Sequence, residues 1–172
     1  LMSSDESLIN VDEAAFVLAS HFHEGLIVED QMARLDQLAD GCGSSLEAVR
    51  TRIFEDLQFN GNSCGYYDQN NSCLDYVIEQ RLGIPITLCA LAIEVGRRVD
   101  IDLVGIGMPG HFLCRTASQA EHQFFDPFHS PRPLSAQQCK MLYENLTQID
   151  NWSAEFLEPS SSRLMVIRVL SN

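Results

Sequence analysis

The segment that begins at Pro85 constrains this chain more than any other. Ile86, Leu88, Ala90, Leu91, Ile93 and Val95 follow the proline, and the run ends at Arg97 and Arg98. Proline at a first helical position is preorganised for a helix and lacks an N–H that would otherwise go unsatisfied. The two arginines suit the negative end of a helix dipole. Between these signals the segment is apolar on nearly every side, and such a helix must be covered all round. The rest of the chain is therefore expected to wrap a central buried helix.

Strand signals follow at once. Ile101 to Met108 is short, apolar and rich in β-branched residues. Pro109-Gly110 fits the central positions of a type II turn. His111 to Arg115 reads as a second strand, Thr116 to Glu121 as a polar loop, and His122 to Asp126, stopped by Pro127, as a third strand. A buried helix followed by an antiparallel meander predicts an α+β fold. Upstream, Asn10 with Glu13 and Ser44 with Glu47 have capping-box spacing. The first pair precedes the apolar segment Ala15 to Phe22. The second opens a helix carrying Leu46, Val49, Ile53, Phe54 and Leu57. Between them, Met32, Leu35, Leu38 and Ala39 mark a helix with Gly41 as its stop. Residues 60–72 carry turn chemistry around Tyr66 and Tyr67. Ser72 then caps a helix with Leu74, Val77, Ile78 and Leu82, ended by Gly83. Ser135 with Gln138 opens another helix, and Leu164 to Leu170 forms an apolar last one. The expected organisation is an N-terminal helical layer (1–59), a core (60–134) and C-terminal helices (135–172), all one structural unit.

Charge and cysteine content narrow the function classes. The net charge of -13 over 172 residues argues against a nucleic-acid backbone or an anionic membrane as partner. No apolar run approaches the roughly 20 residues that span a bilayer. Leu1 to Asn10 is polar and acidic, without the basic and apolar regions of a secretory signal. Six cysteines without a C-x-x-C spacing fit reduced thiols in a cytoplasmic protein better than a disulfide framework or a zinc site. His21 and His23, two apart on a helix, face different ways and make a poor metal pair. No metal or cofactor is expected. His122 and His129 read as surface residues.

The informative pair is His111 and Asp126. If the loop is centred between Ser118 and Gln119, hairpin symmetry sets these two opposite one another, with Cβ atoms roughly 4.5–5.5 Å apart. A carboxylate at that reach can fix an imidazole tautomer and leave the other ring nitrogen free for chemistry. The pattern equally allows a hydrogen-bonded core histidine.

The run Arg81-Leu82-Gly83-Ile84-Pro85-Ile86-Thr87-Leu88, then Pro109-Gly110-His111-Phe112-Leu113, then Asp126-Pro127-Phe128, resembles the transglutaminase-like domain of the bacterial SirB-one type. Phe59-Asn60-Gly61-Asn62, Tyr66-Tyr67-Asp68 and Asn71-Ser72 match its upstream stretch, and the resemblance covers about residues 30–172. It implies a papain-like core in which a helix bearing a cysteine nucleophile packs on antiparallel strands bearing His and Asp. It also implies that tetratricopeptide-like helices follow, with Arg168 to Asn172 at their start.

In active members of that superfamily a Cys opens the central helix, where the helix dipole and a nearby His lower its pKa. The residue-by-residue match gives His111 and Asp126 but places Pro85 in the nucleophile slot. Cys89 lies one turn deeper on the same helix face, where core packing competes with a nucleophilic role. Thr87 is closer to the helix start but points away from Cys89. Cys73 follows Ser72 at another helix start, Cys64 sits in a polar loop, and Cys114 reads as core. Thr87, Tyr66, Tyr67 and Asp68 are candidates for the cleft. The leading expectation is a non-catalytic domain that binds a peptide or protein partner. The alternatives are a thiol-dependent protease, amidase or acyltransferase using Cys89 with His111 and Asp126, and an interaction scaffold independent of the cleft.

Overall fold

The structure is a computed structural model that describes residues 10–118 and 123–171. Its elements in chain order are α1 (Val11–Ala19), α2 (Val28–Ala39), α3 (Leu46–Arg50), β1 (Asn60–Gly61), α4 (Leu74–Gln80), β2 (Leu82–Gly83), α5 (Pro85–Arg98), β3 (Leu103–Ile106), β4 (Leu113–Thr116), β5 (Phe124–Asp126), β6 (Ser130–Leu134), α6 (Ala136–Thr147) and α7 (Ser162–Leu170). α3 continues into a π-helical stretch, Thr51–Asp56, and two short 3₁₀ turns lie at Gln69–Ser72 and Ala154–Leu157.

The all-round apolar helix takes the central place expected of it. α5 contacts α1, α2, α3, α4 and α7 as well as β1, β3 and β4. Leu88, Cys89, Leu91, Ala92 and Val95 on it are completely buried. Arg97 and Arg98 at its end do more than answer the dipole. Both reach the buried carboxylate of Asp12 on α1, at 2.8 and 3.1 Å, and Arg98 also holds Asp36 of α2 at 2.7 Å. Burial pushes the Asp12 carboxyl up. The Glu13 N–H, the Glu94 side chain and the arginines outweigh that and hold it below the ordinary carboxylate range. Glu94, buried beside Asp12, is pushed up by that burial and by its acidic neighbour.

The four-stranded sheet is an antiparallel meander in the order β3-β4-β5-β6. Both of its faces are covered. Leu103, Cys114 and Phe125 join the large core around α5. Ile106, Leu113 and Phe124 join a second core with Cys139 and Tyr143 of α6, against which Trp152 and Phe156 pack. Adjacent residues on β4 and β5 thus enter different cores, which is why these strands read as continuous apolar runs.

Several local expectations need correction. Ser45, not Ser44, caps α3 by accepting from the Ala48 N–H at 3.1 Å. Asn10 stands at the N-cap of α1 without a side-chain bond. Cys73 rather than Ser72 is the N-cap of α4, and the helix stops at Arg81, at φ 59, rather than at Gly83. Gly83 belongs instead to β2, which pairs in parallel with β1 (Asn60↔Leu82, Gly61↔Gly83) and straps residues 60–62 to the entry of α5. His111 is not in a strand, because β4 starts at Leu113. The third strand is shorter than expected, and a fourth, β6, follows it. Prolines 131 and 133 mask β6 in the sequence, yet they are tolerated because it is an edge strand. The expected hairpin tip, including His122, falls on residues 119–122, outside the described residues, as do residues 1–9.

Among the described residues no helix is long and apolar enough to cross a membrane. All six cysteines are free thiols.

Candidate functional site: an aspartate shared by two histidines

The turn before β4 sets His111. Gly110 has φ +80, a conformation natural to glycine, and the His111 N–H donates to the Met108 carbonyl at 3.0 Å, closing the expected turn over Pro109-Gly110. The β4–β5 register differs from expectation by two residues. Cys114 pairs with Phe125 and Arg115 with Phe124, which if continued would set His111 across from Phe128. A two-residue slip preserves the face of every side chain. His111 therefore still meets Asp126, as a diagonal rather than a direct neighbour. Nε2 of His111 lies 2.9 Å from Oδ2 of Asp126, with both side chains about 4% exposed. The N–H at Nε2 is not aligned on that oxygen.

The aligned partner of Asp126 is a residue that sequence reading set aside. Nδ1 of His129 is 2.7 Å from the same Oδ2, while Oδ1 accepts the Phe128 N–H at 2.9 Å and the His129 N–H at 3.2 Å. Asp126-Pro127 is a turn opener, and an aspartate in that place folds its carboxylate onto the backbone two and three residues on. That signal was legible and carries His129 back with it. Burial pushes the Asp126 carboxyl up, but His111, His129 and the Phe128 N–H outweigh it and hold the group below the ordinary carboxylate range. The carboxylate is thus ionised at neutral pH and faces two imidazoles. The His111 and His129 rings lie 5.1 Å apart. The donor atoms of His111, Asp126 and His129 all fall within 4.8 Å of one another, so this trio could also hold a metal ion.

The start of α5 forms the opposite wall. Pro85 occupies the first helical position and is buried. Thr87 is buried too, and its hydroxyl is committed to the helix start: Oγ1 is 3.1 Å from the Ile84 N–H and 3.2 Å from the Ile84 carbonyl. Cys89 is completely buried, and its Sγ donates to the Leu113 carbonyl at 3.2 Å. Burial, together with Cys114 and the Asp126 charge, pushes this thiol well above its ordinary range. Tyr66, Pro85, Gly110, His111 and Arg168 of α7 line a pocket of only about 10 Å³, at most the room of one water. Outside it runs an aromatic rim. The Tyr66 ring is 5.6 Å from Phe128 and 5.3 Å from Tyr67, and Tyr67 is 94% exposed. Asp68 turns away, accepting from the Asn70 N–H at 3.0 Å. The structure thus brings His111, Asp126, Pro85 and Tyr66 together, places Cys89 beneath them, and keeps Asp68 apart.

The sequence is similar to several known proteins. A UPF0162 protein of Xylella fastidiosa is 37% identical over 131 residues, covering 74% of this chain and 47% of the relative. A UPF0162 protein of Pseudomonas aeruginosa is 30% identical over 139 residues, covering 76% of this chain and 50% of the relative. The mouse protein named F-box only protein 21 is 30% identical over 105 residues, 56% of this chain and 17% of its own length. The chain spans about half the length of the UPF0162 relatives it matches. No solved structure matches. Residues 18–171 match the family described as the transglutaminase-like superfamily, and the chain belongs to that superfamily.

Proposed function

We propose that this domain keeps the His–Asp half of a transglutaminase-like site without a nucleophile, and that it binds a peptide or protein segment instead of catalysing acyl transfer. One observation carries the reading. The position at the start of α5 that faces His111 is occupied by Pro85, which offers no nucleophilic group. The neighbouring features agree with it. The Thr87 hydroxyl is spent on the helix start, and the Cys89 thiol is sealed against the Leu113 carbonyl with its pKa pushed up, so neither stands ready as a nucleophile. The SirB-type assignment and a following helical repeat region belong to the same proposal.

The partner is expected to lie across the rim formed by Tyr67, Tyr66 and Phe128, because exposed tyrosines give contact area at low entropic cost. Binding of a random peptide library displayed on phage, followed by titration of the selected peptides, tests this. Tyr67→Ala should weaken a selected peptide about tenfold, the effect of roughly 1.4 kcal/mol. Peptides that bind this face equally well without Tyr67 and Tyr66 would overturn the rim assignment and leave the scaffold reading in its place. Alkylation of the native protein tests the missing nucleophile separately. Iodoacetamide should label exposed Cys64 and spare Cys89. Rapid Cys89 labelling that disappears in His111→Ala would restore the thiol-enzyme reading.

A further inference from the structure

A second constellation lies away from the His–Asp site, where the turn after α1 meets the start of α4. His23 projects from that turn, Cys73 is the N-cap of α4, and Asp75 lies in its first turn. One ring nitrogen, one sulfur and one carboxylate oxygen from these three all fall within 4.8 Å of one another. They come from segments about fifty residues apart in sequence, so only the fold unites them.

We propose that His23, Cys73 and Asp75 form a binding site for one zinc-class divalent ion, with a fourth coordination position open to the adjoining groove. Imidazole, thiolate and carboxylate are a borderline-soft donor set of the kind zinc and cobalt take. Three protein ligands with one open position is the pattern of sites that also bind water or a small ligand.

Two independent features mark this as a built site. First, Oδ1 of Asp75 is buried with no hydrogen-bond partner, while Oδ2 accepts a hydrogen bond from Nδ1 of His23 at 2.6 Å, through a proton that a bound cation would displace. An orphaned carboxylate oxygen beside a histidine and a thiol is what a cation would satisfy. Second, Nε2 of His23 is 3.3 Å from Oδ1 of Asn70. A ligating histidine usually passes its other N–H to such an oxygen, which fixes the tautomer and aims the free nitrogen at the metal. The Nδ1 to Oδ2 separation must open to roughly 3.3 Å for tetrahedral zinc. His23 is 28% exposed and can move that far.

A groove reaches the trio at Cys73 and at Asn70, the partner of His23. It measures about 340 Å³ and is lined by Leu18, Phe22, Asn70, Cys73 and Leu170, among others. Burial and the charges of Asp75 and Asp68 push the Cys73 thiol up to about 11. That corrects the expectation that a helix start could activate it. A cysteine in this setting is no free nucleophile, but a bound cation would displace its proton and offset the two carboxylates. A metal here would also clamp the N-terminal helices to α4.

Titration of metal-free protein with Zn²⁺ and Co²⁺, at neutral pH under reducing conditions, tests the proposal. One equivalent of Co²⁺ should bind and give a thiolate-to-cobalt charge-transfer band, with Zn²⁺ displacing it. His23→Ala and Cys73→Ser should each remove the band and weaken Zn²⁺ binding at least about 100-fold. Asn70→Ala should weaken it about 10- to 100-fold. Circular dichroism and thermal melting of each metal-free variant separate lost ligation from lost folding. The band in the wild-type protein is a readout that needs no variant. Absence of stoichiometric binding would overturn the proposal, as would bound Co²⁺ without a thiolate band. So would binding that survives His23→Ala and Cys73→Ser but is lost in His111→Ala with His129→Ala. That last outcome would place the ion on the other donor trio and leave the peptide-binding reading to its own tests.

Discussion

At the scale of single residues, Asp126 organises the candidate site. Its carboxylate meets two imidazoles and two backbone N–H groups while almost entirely buried. Asp126→Asn removes the charge but keeps the shape, so it should cost roughly 1.5–3 kcal/mol of stability near neutral pH, the range for hydrogen bonds to charged groups. Urea denaturation of the two proteins measures it. The pH dependence follows from the sign of the shift. The folded-state pKa of Asp126 lies below its unfolded value, so the contribution is complete above the unfolded pKa, roughly 3.9, and is lost as pH falls through the folded pKa. The gap between wild type and Asp126→Asn should therefore narrow in acid. Sequence reading found His111 and Asp126 and missed His129. The pair was legible because hairpin symmetry is coarse: a register error of two residues leaves both side chains on one face. His129 was read as a surface residue because it flanks the third strand, and it is half exposed; its bond to Asp126 comes from the turn that Asp126 itself folds.

At the scale of elements, the entry of α5 and the strap of residues 60–62 are fixed together. A Cβ on Gly61 would fall 2.5 Å from the Phe128 carbonyl oxygen and within 3 Å of its ring. Backbone cannot yield there as a flexible side chain would. Gly61→Ala should cost about 1–3 kcal/mol by overpacking and displace Phe128 from the rim. Thermal melting measures the first effect, and loss of binding by rim-selected peptides measures the second. Elements with strong local signals were readable in advance. α5 announced itself by Pro85 and its apolar surface, the turn before His111 by Pro109-Gly110, and α6 by the Ser135–Gln138 box, where Ser135 and Gln138 do cap one another. Elements that depend on distant partners were not. β1 and β2 are two residues each and exist only because they pair with each other across twenty residues of chain. β6 exists because an open sheet edge accepts prolines on the side that needs no donor. The π-helical stretch at Thr51–Asp56 gave no composition signal.

At the scale of the whole molecule, one polar cluster, buried at Asp12 and open to solvent at Asp36, ties three helices together. Asp12 of α1, completely buried, is held by Arg97 and Arg98 of α5, and Arg98 reaches Asp36 of α2. Asp12→Ala removes the buried carboxylate that both arginines meet, leaving half-exposed Arg97 with Glu94 and Arg98 with Glu94 and Asp36. Losing hydrogen bonds to a charged group should cost about 1.5–3 kcal/mol, visible as a fall in melting temperature. The folded pKa of Asp12 is depressed, so its contribution is present above the unfolded pKa and fades as pH falls through the folded one. Glu94 has the opposite sign. Its raised folded pKa gives a contribution that is present at low pH and lost as pH rises through that value. The sequence placed both arginines at the end of α5 but could not show their partners on α1 and α2, which lie more than sixty residues away.

The same architecture makes the central claim measurable. If Pro85 occupies the nucleophile position, as proposed, the protein should form no acyl-enzyme. Intact-mass spectrometry of the purified protein after incubation with an activated acyl donor, compared with His111→Ala, tests this directly. No mass increase at Cys89 is expected in either protein. A single acyl group on Cys89 in the wild type that vanishes in His111→Ala would contradict it.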